Sequence, residues 1–326
     1  MKKFIYTILV FLITTSGIIL TLSFLQPILY RTFPSDNDRH IVLVDVLKDR
    51  SKTENMIVFG DSRTMFGVDT RIIKKDLNLP FEVFNLSSVG QTPYESSYFY
   101  GLIDKNTKAV IQCASPEFFS RNMDYRLQDD KAFSMFLSGY RINESTKCLI
   151  KGYNKIFDRN EFVNYFDSRS IIRSIIHTDI LVPLLDKETS DRSARKSKYF
   201  PHSFTSQRHP DYPVYKYDCN GLKSTGMPVS QLSFLTRVRD YFKSKGIGYI
   251  LVLMPVNPDE CKECYDDFKE YKKMIEEATN IRVIDLTDLI MDTGYFYDAV
   301  HVNKEGAKII SSQIAKQLSV LDGLKF

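Results

Sequence analysis

Five short apolar runs constrain this chain more than anything else in it: Met56–Phe59, Phe81–Leu86, Ala109–Ala114, Tyr249–Met254 and Val283–Leu286. Each has the length of a single strand and is too continuously apolar for a strand with one wet face, so each reads as a strand buried on both sides. Segments with helical patterning separate them. Thr70–Leu77 and Tyr94–Ile103 lie among the first three, Leu232–Lys245 precedes the fourth, Glu263–Ala278 follows it, and Lys304–Leu318 follows the fifth. A parallel strand pair needs a long crossover, and a crossover helix must lie on a sheet face. The alternation therefore predicts an α/β domain with one parallel sheet covered by helices on both faces.

The rhythm stops between Pro116 and about Val229. The first part of this stretch, to about Leu185, is aromatic and helix-prone. The second is polar, rich in chain breakers, and basic and tyrosine-rich over residues 192–217, so it reads as loop. A long insertion in a compact sheet is usually functional or disordered. This one leaves from the carboxyl end of a strand, where doubly wound sheets bind ligands, so a lid or substrate platform is expected. The chain then divides into 1–31, a 32–54 tether with one short helix around Val42–Leu47, a first core part 55–117, the insertion 118–228, and a second core part 229–326.

The N-terminus points to a membrane. Lys2 and Lys3 precede a stretch without charge from Phe4 to Tyr30, with Arg31 the next charged residue. About 20 such residues span a bilayer core of roughly 30 Å as a helix. The run exceeds the 7–15 apolar residues typical of a cleaved signal peptide, and no Ala-x-Ala pattern closes it. An uncleaved transmembrane anchor is expected. The two lysines keep the N-terminus cytoplasmic, which leaves the remainder periplasmic or extracellular, held to the inner, or cytoplasmic, membrane by a single pass. The net charge of +4, from 44 Lys and Arg against 40 Asp and Glu, gives no nucleic-acid signature.

The polar residues at the carboxyl ends of the strands are the candidates for chemistry. The first strand runs into Gly60-Asp61-Ser62, the second into Asn85 and then Gly90, the third into Ser115-Pro116-Glu117. After the fifth comes "YFYDAVHVN", in which Asp298 and His301 stand just before a helix with Asn303 as its expected N-cap. Nucleophilic catalysis by serine needs an imidazole to take the hydroxyl proton, a carboxylate to hold the imidazole's tautomer, and N–H donors for the oxyanion. Ser62 is the expected hydroxyl, His301 the imidazole and Asp298 the carboxylate. The N–H of Ser62 and that of Gly90, which has no side chain in the way, are the expected oxyanion donors. Of the five histidines, the other four lie in the tether or the insertion.

Arg63 either steadies the site, faces an anionic substrate, or pairs with a nearby carboxylate. Tyr295, Phe296 and Tyr297 form either a sugar-stacking surface or core, with Tyr297 the substrate-binding candidate. Asn257 either points into the crevice or caps a turn. Cys261 and Cys264 form a lone CxxC with no histidine nearby, too little for a four-ligand zinc site; a disulfide or two free thiols is the expectation. The triad calls for no metal and no cofactor.

The ordered set of "VFGDSRT", "NLSSVGQT" and "DAVH" resembles the SGNH, or GDSL-type, hydrolase superfamily, with Ser62, Gly90 and the Asp298–His301 pair on its first, second and last blocks. The resemblance covers residues 56–117 and about 230–320 and leaves the insertion unmatched. It implies a three-layer α/β/α, flavodoxin-like fold with a central parallel five-stranded sheet. GDSRT with an N-terminal anchor looks closest to the cell-envelope branch, which includes alginate acetyltransferases and the D-alanylation protein of lipoteichoic acid. That branch implies O-acyl, chiefly acetyl, transfer to or removal from envelope polysaccharide, often beside a polytopic membrane-bound O-acyltransferase. The superfamily's third block usually supplies an asparagine as an oxyanion donor, whereas here the third strand ends in "CASPEFF". Ser115 or a backbone N–H is the expected substitute. The same gap motivates an alternative, a catalytically weak or inactive scaffold that binds glycan or a membrane acyltransferase.

Overall fold

Apolar runs with no polar alternation must lose water on both faces, and the computed structural model places them so: all five residues of the first strand are buried. The structure describes residues 2–32, 43–44, 46–48, 53–120, 146, 149, 227–261 and 265–321. The chain divides into two compact units, with the N-terminal helix in one and the sheet in the other.

Helix α1, Lys2–Thr32, is one continuous helix of 31 residues, about 46 Å long at 1.5 Å per residue. Phe4, Tyr6, Phe11 and Ile13 are among its most exposed side chains. Counted over the described residues, no helix is long and apolar enough to cross a membrane; the described side chains of α1 end at Thr21.

The second unit is built from β1 (Asn55–Phe59), α2 (Ser62–Gly67), α3 (Thr70–Asp76), β2 (Glu82–Asn85), α4 (Pro93–Ser97), β3 (Thr107–Ala114), α5 (Val229–Ser244), β4 (Gly248–Leu253), α6 (Pro258–Cys261), α7 (Tyr265–Thr279), β5 (Arg282–Asp285) and α8 (Lys304–Ser319). The strands form one parallel sheet in the order β2-β1-β3-β4-β5. Alternate residues sort onto two faces. Met56 and Val58, Ile111 and Cys113, and Ile250 and Val252 share a core with Ile73 of α3 and with Ile310 and Ile314 of α8. The opposite face is aromatic. Phe59 meets Tyr100 at 5.7 Å, Tyr100 meets Phe242 of α5 at 4.8 Å, and Phe242 stacks on Tyr249 at 5.3 Å. The Tyr100 hydroxyl donates to Gln112 Oε1 at 3.0 Å, which satisfies a polar side chain in the middle of β3.

The expected elements recur with shifted ends, and one differs in kind. Tyr94–Ile103 is not one helix: α4 stops at Ser97 and a 3₁₀ turn follows over Tyr100–Leu102. The Ser96 and Ser97 hydroxyls donate to the carbonyls of Thr92 and Tyr94. Such back-bonding competes with the helical ladder, and Gly101 adds no helix preference. A short helical piece is present at residues 43–44 and 46–48, with Leu43 and Leu47 buried. Residues 121–226 of the insertion other than 146 and 149, residues 33–52 of the tether other than that helical piece, and the side chains of Cys261 and Cys264 lie outside the described residues.

The strand order positions the site. From β1 the chain moves to one side to form β2, then returns past β1 to form β3 on the other side. The connections leave β1 and β3 in opposite directions, which opens a crevice at their carboxyl ends. Gly60-Asp61-Ser62 and Ser115-Pro116-Glu117 stand on its two sides.

Candidate active site

Gly60 turns the chain from β1 into α2, and its lack of a side chain is used. A Cβ there would lie 2.1 Å from Thr64 Oγ1 and 2.6 Å from Thr64 Cβ. Asp61 is the N-cap: its Oδ1 accepts from the N–H groups of Arg63 (3.0 Å) and Thr64 (3.3 Å), while its carbonyl accepts from Met65 N–H at 2.9 Å. A helix start leaves four N–H groups without helical partners. Among the described residues, the cap serves the later ones and leaves the Ser62 N–H with no partner. Ser62 is also the one residue of α2 that is not buried.

His301 arrives on a narrow hairpin that precedes α8. Phe296 and Val302 form an antiparallel bridge, and the Tyr297 and Asn303 N–H groups donate to the carbonyls of His301 (2.7 Å) and Tyr295 (2.8 Å). At its tip, Asp298 Oδ1 accepts from the N–H groups of Val300 (2.9 Å) and His301 (2.8 Å). Asp298 Oδ2 lies 2.7 Å from His301 Nδ1, and His301 Nε2 lies 2.8 Å from Ser62 Oγ. A carboxylate accepts only, so Nδ1 carries the proton and Nε2 presents a lone pair to the serine hydroxyl. The Phe66 ring, from the same helix as Ser62, backs the imidazole at 4.8 Å. Asn303 caps α8 by accepting from Glu305 and Gly306 N–H at 3.1 Å each. Gly306 lets the helix start close on the hairpin: a Cβ there would lie 2.7 Å from the Tyr295 carbonyl oxygen.

Burial pushes the Asp298 carboxyl up, but the hydrogen bond and charge of His301 and the N–H groups of Val300 and His301 outweigh it and hold the value below the usual aspartate range. The group therefore contributes stability that is complete above the ordinary aspartate pKa and lost as pH falls through the lower folded value. In urea titrations, the stability gap between wild type and Asp298→Asn is expected to be constant from neutral pH to about pH 5 and to close below about pH 4. A gap that widens on acidification would contradict this arrangement.

The loop after β2 is tied to the turn that carries Ser62. Ser88 N–H donates to the Gly60 carbonyl at 3.0 Å, and the Asn85 side chain donates to the carbonyls of Thr64 (3.2 Å) and Val68 (2.8 Å). Gly90 adopts φ of 62°, in the left-handed region that favours glycine. Its N–H has no partner among the described residues. The two expected oxyanion N–H groups are thus both unused among the described residues.

Other expectations are placed differently. The Ser115 hydroxyl donates to Asp61 Oδ2, so its proton is not available to an oxyanion. Arg63 forms a fork with Glu117, Nη2 to Oε1 at 2.5 Å and Nη1 to Oε2 at 3.2 Å; the carboxylate-pairing alternative describes it. Asn257 is buried and its Oδ1 accepts from Asp259 N–H at 3.1 Å, which caps the turn into α6. Phe296 and Tyr297 are both buried, so that pair is packing and not an open stacking face. Cys113, buried beneath this region, has its thiol pKa raised far above the cysteine range by burial and then by the charge of Asp61. It is no competing nucleophile.

Three contacts escaped the sequence reading: Phe66 on the imidazole, Ser115 on Asp61, and Glu117 as the partner of Arg63. The only available signal was that Glu117 leaves the strand next to the one that delivers Arg63. A model of an uncharacterised family matches residues 221–321, the stretch that carries α5 through α8 and the Asp298–His301 hairpin. No curated protein matches the chain.

Proposed function

We propose that this protein is a membrane-anchored serine acyltransferase or acylesterase of SGNH type, acting on O-acyl, chiefly acetyl, groups of cell-envelope polysaccharide. One observation carries the reading: a continuous hydrogen-bond chain from Asp298 through His301 to Ser62, with 2.7 Å and 2.8 Å links, at the crevice between β1 and β3. Ser62 Oγ attacks the acyl carbonyl while His301 Nε2 takes its proton. The unused N–H groups of Ser62 and Gly90 supply the donors for the oxyanion, each worth roughly 3–4 kcal/mol to a transition state. His301 returns the proton to the departing sugar oxygen and leaves an acyl-serine. A second sugar hydroxyl, deprotonated by His301, then takes the acyl group in transfer; water takes it in hydrolysis. No step calls for a metal or cofactor.

The anchor rests on Lys2 and Lys3 ahead of the uncharged run and on the exposed apolar side chains of α1. It gives a single-pass protein of the cytoplasmic membrane whose second unit meets envelope glycan on the outer side, beside a polytopic O-acyltransferase. Purified full-length protein in detergent is expected to release acetate from 4-nitrophenyl acetate and to react with a fluorophosphonate probe, and Ser62→Ala to do neither. Full activity in Ser62→Ala would sink the assignment.

The scaffold alternative keeps one observation in its favour. With its hydroxyl committed to Asp61, Ser115 does not replace the superfamily's asparagine donor. Glycan binding by a protein whose Ser62 ignores the fluorophosphonate would establish that reading instead.

A further inference from the structure

Helix α2 has six residues, too few to hold itself in water, so its tethers decide where Ser62 points. At its far end the Asn85 side chain grips the Thr64 and Val68 carbonyls. At its near end both neighbours of Ser62 reach the same short segment after β3. Asp61 accepts from Ser115, and Arg63 forks onto Glu117. The Arg63 and Glu117 side chains are only 7% and 13% exposed. A two-pronged guanidinium–carboxylate contact fixes direction as well as distance, which a point charge does not. The two charges also cancel, so the pair fixes geometry while adding little net field at the serine.

We infer that Arg63 and Glu117 are positioning residues, which hold the nucleophile's helix turned so that Ser62 Oγ meets His301 Nε2. A small rotation of α2 about its axis would break that 2.8 Å contact. The segment after β3, which lacks the superfamily's donor asparagine, thus serves the site as an orienting strut. The kinetic consequence rests on the acyl chemistry proposed above; the orientation does not.

The test uses the full-length chain in detergent with Ser62→Cys as parent. A thiol held against an imidazole ionises at lowered pH. Its ionisation is read from the pH dependence of iodoacetamide alkylation at position 62, resolved by mass spectrometry from the chain's five native cysteines. Adding Glu117→Gln separates orientation from charge by sign. Loss of orientation moves the thiol's apparent pKa up, by about one pH unit or more, toward the ordinary value near 8.5. A purely electrostatic role moves it down, because the negative charge of Glu117, which disfavours a nearby thiolate, is removed.

Breaking one partner of a buried pair can unfold a protein, so a second variant replaces both, Arg63→Met with Glu117→Leu. Its unfolding midpoint is expected to stay near the parent's, with the same upward thiol movement. With Ser62 intact, this double variant should show a kcat for 4-nitrophenyl acetate about 10- to 100-fold lower and a KM within about twofold. A downward or absent movement in the folded variants overturns the inference. An ordinary thiol in the Ser62→Cys parent overturns it as well, together with the triad. A lowered thiol pKa that follows the expected pattern in a chain releasing no acetate removes the acyl-transfer reading and leaves the inference standing.

Discussion

Asp298→Asn is expected to lower kcat by about 10⁴-fold while leaving KM comparatively little changed and the protein folded at neutral pH, less stable only by the gap given above. The reason lies in which oxygen does what. Asp298 Oδ1 accepts from the Val300 and His301 N–H groups and shapes the hairpin tip. An asparagine carbonyl oxygen can take over both bonds, so the hairpin survives. The other position faces His301 Nδ1, and there an amide NH₂ donates where a carboxylate accepted. The imidazole must then accept at Nδ1 and carry its proton on Nε2. Nε2 faces Ser62 as a donor, and the serine has no base. Kinetics on 4-nitrophenyl acetate with a parallel thermal melt would check this. A loss under about tenfold in a folded variant would mean that Asp298 does not set the tautomer.

Gly60→Ala is expected to cost about 2–3 kcal/mol of stability, in the range for forced overpacking. The added methyl would sit 2.1 Å from Thr64 Oγ1, 2.6 Å from Thr64 Cβ and 2.9 Å from Thr64 Cγ2. Rotating the Thr64 side chain moves two of these atoms but not Cβ, and Thr64 is fully buried. Relief therefore requires moving α2 away from β1. That would drag Ser62 from His301 and disturb the Gly60 carbonyl that holds Ser88. The specific signature is in the rescue. Thr64→Ala should not restore the urea midpoint, because its Cβ remains, whereas Thr64→Gly should restore much of the clash-related loss. A midpoint unchanged in Gly60→Ala alone would contradict the packing described.

The strands were legible because a parallel sheet buried on both faces writes itself as unbroken apolar runs. Where polar residues enter a strand the boundary was lost: β3 begins at Thr107, two residues before the apolar run, since Thr107 is held by Asn55 rather than by apolar contact. Helix α4 was misread because serine hydroxyls that end a helix look, in sequence, like any exposed polar face. The pairing of Ser62 with His301 was legible because its members fall at strand ends that the fold gathers at one edge. The fork between Arg63 and Glu117 was not. Charge pairing between residues 54 apart in the chain depends on side-chain direction, which periodicity does not carry.

The order of elements along the chain also has a temporal meaning. Ser62 opens α2, and its partner imidazole lies 239 residues later, on the hairpin before α8. A chain emerging from synthesis folds from its N-terminal end, so β1, α2 and the loop after β2 precede the Asp298–His301 hairpin. Throughout that interval Ser62 is an ordinary alcohol with its base still to come. On the proposed chemistry, a half-made protein at the membrane would leave every ester it meets intact, and reactivity would begin only when the fold that directs it is nearly complete.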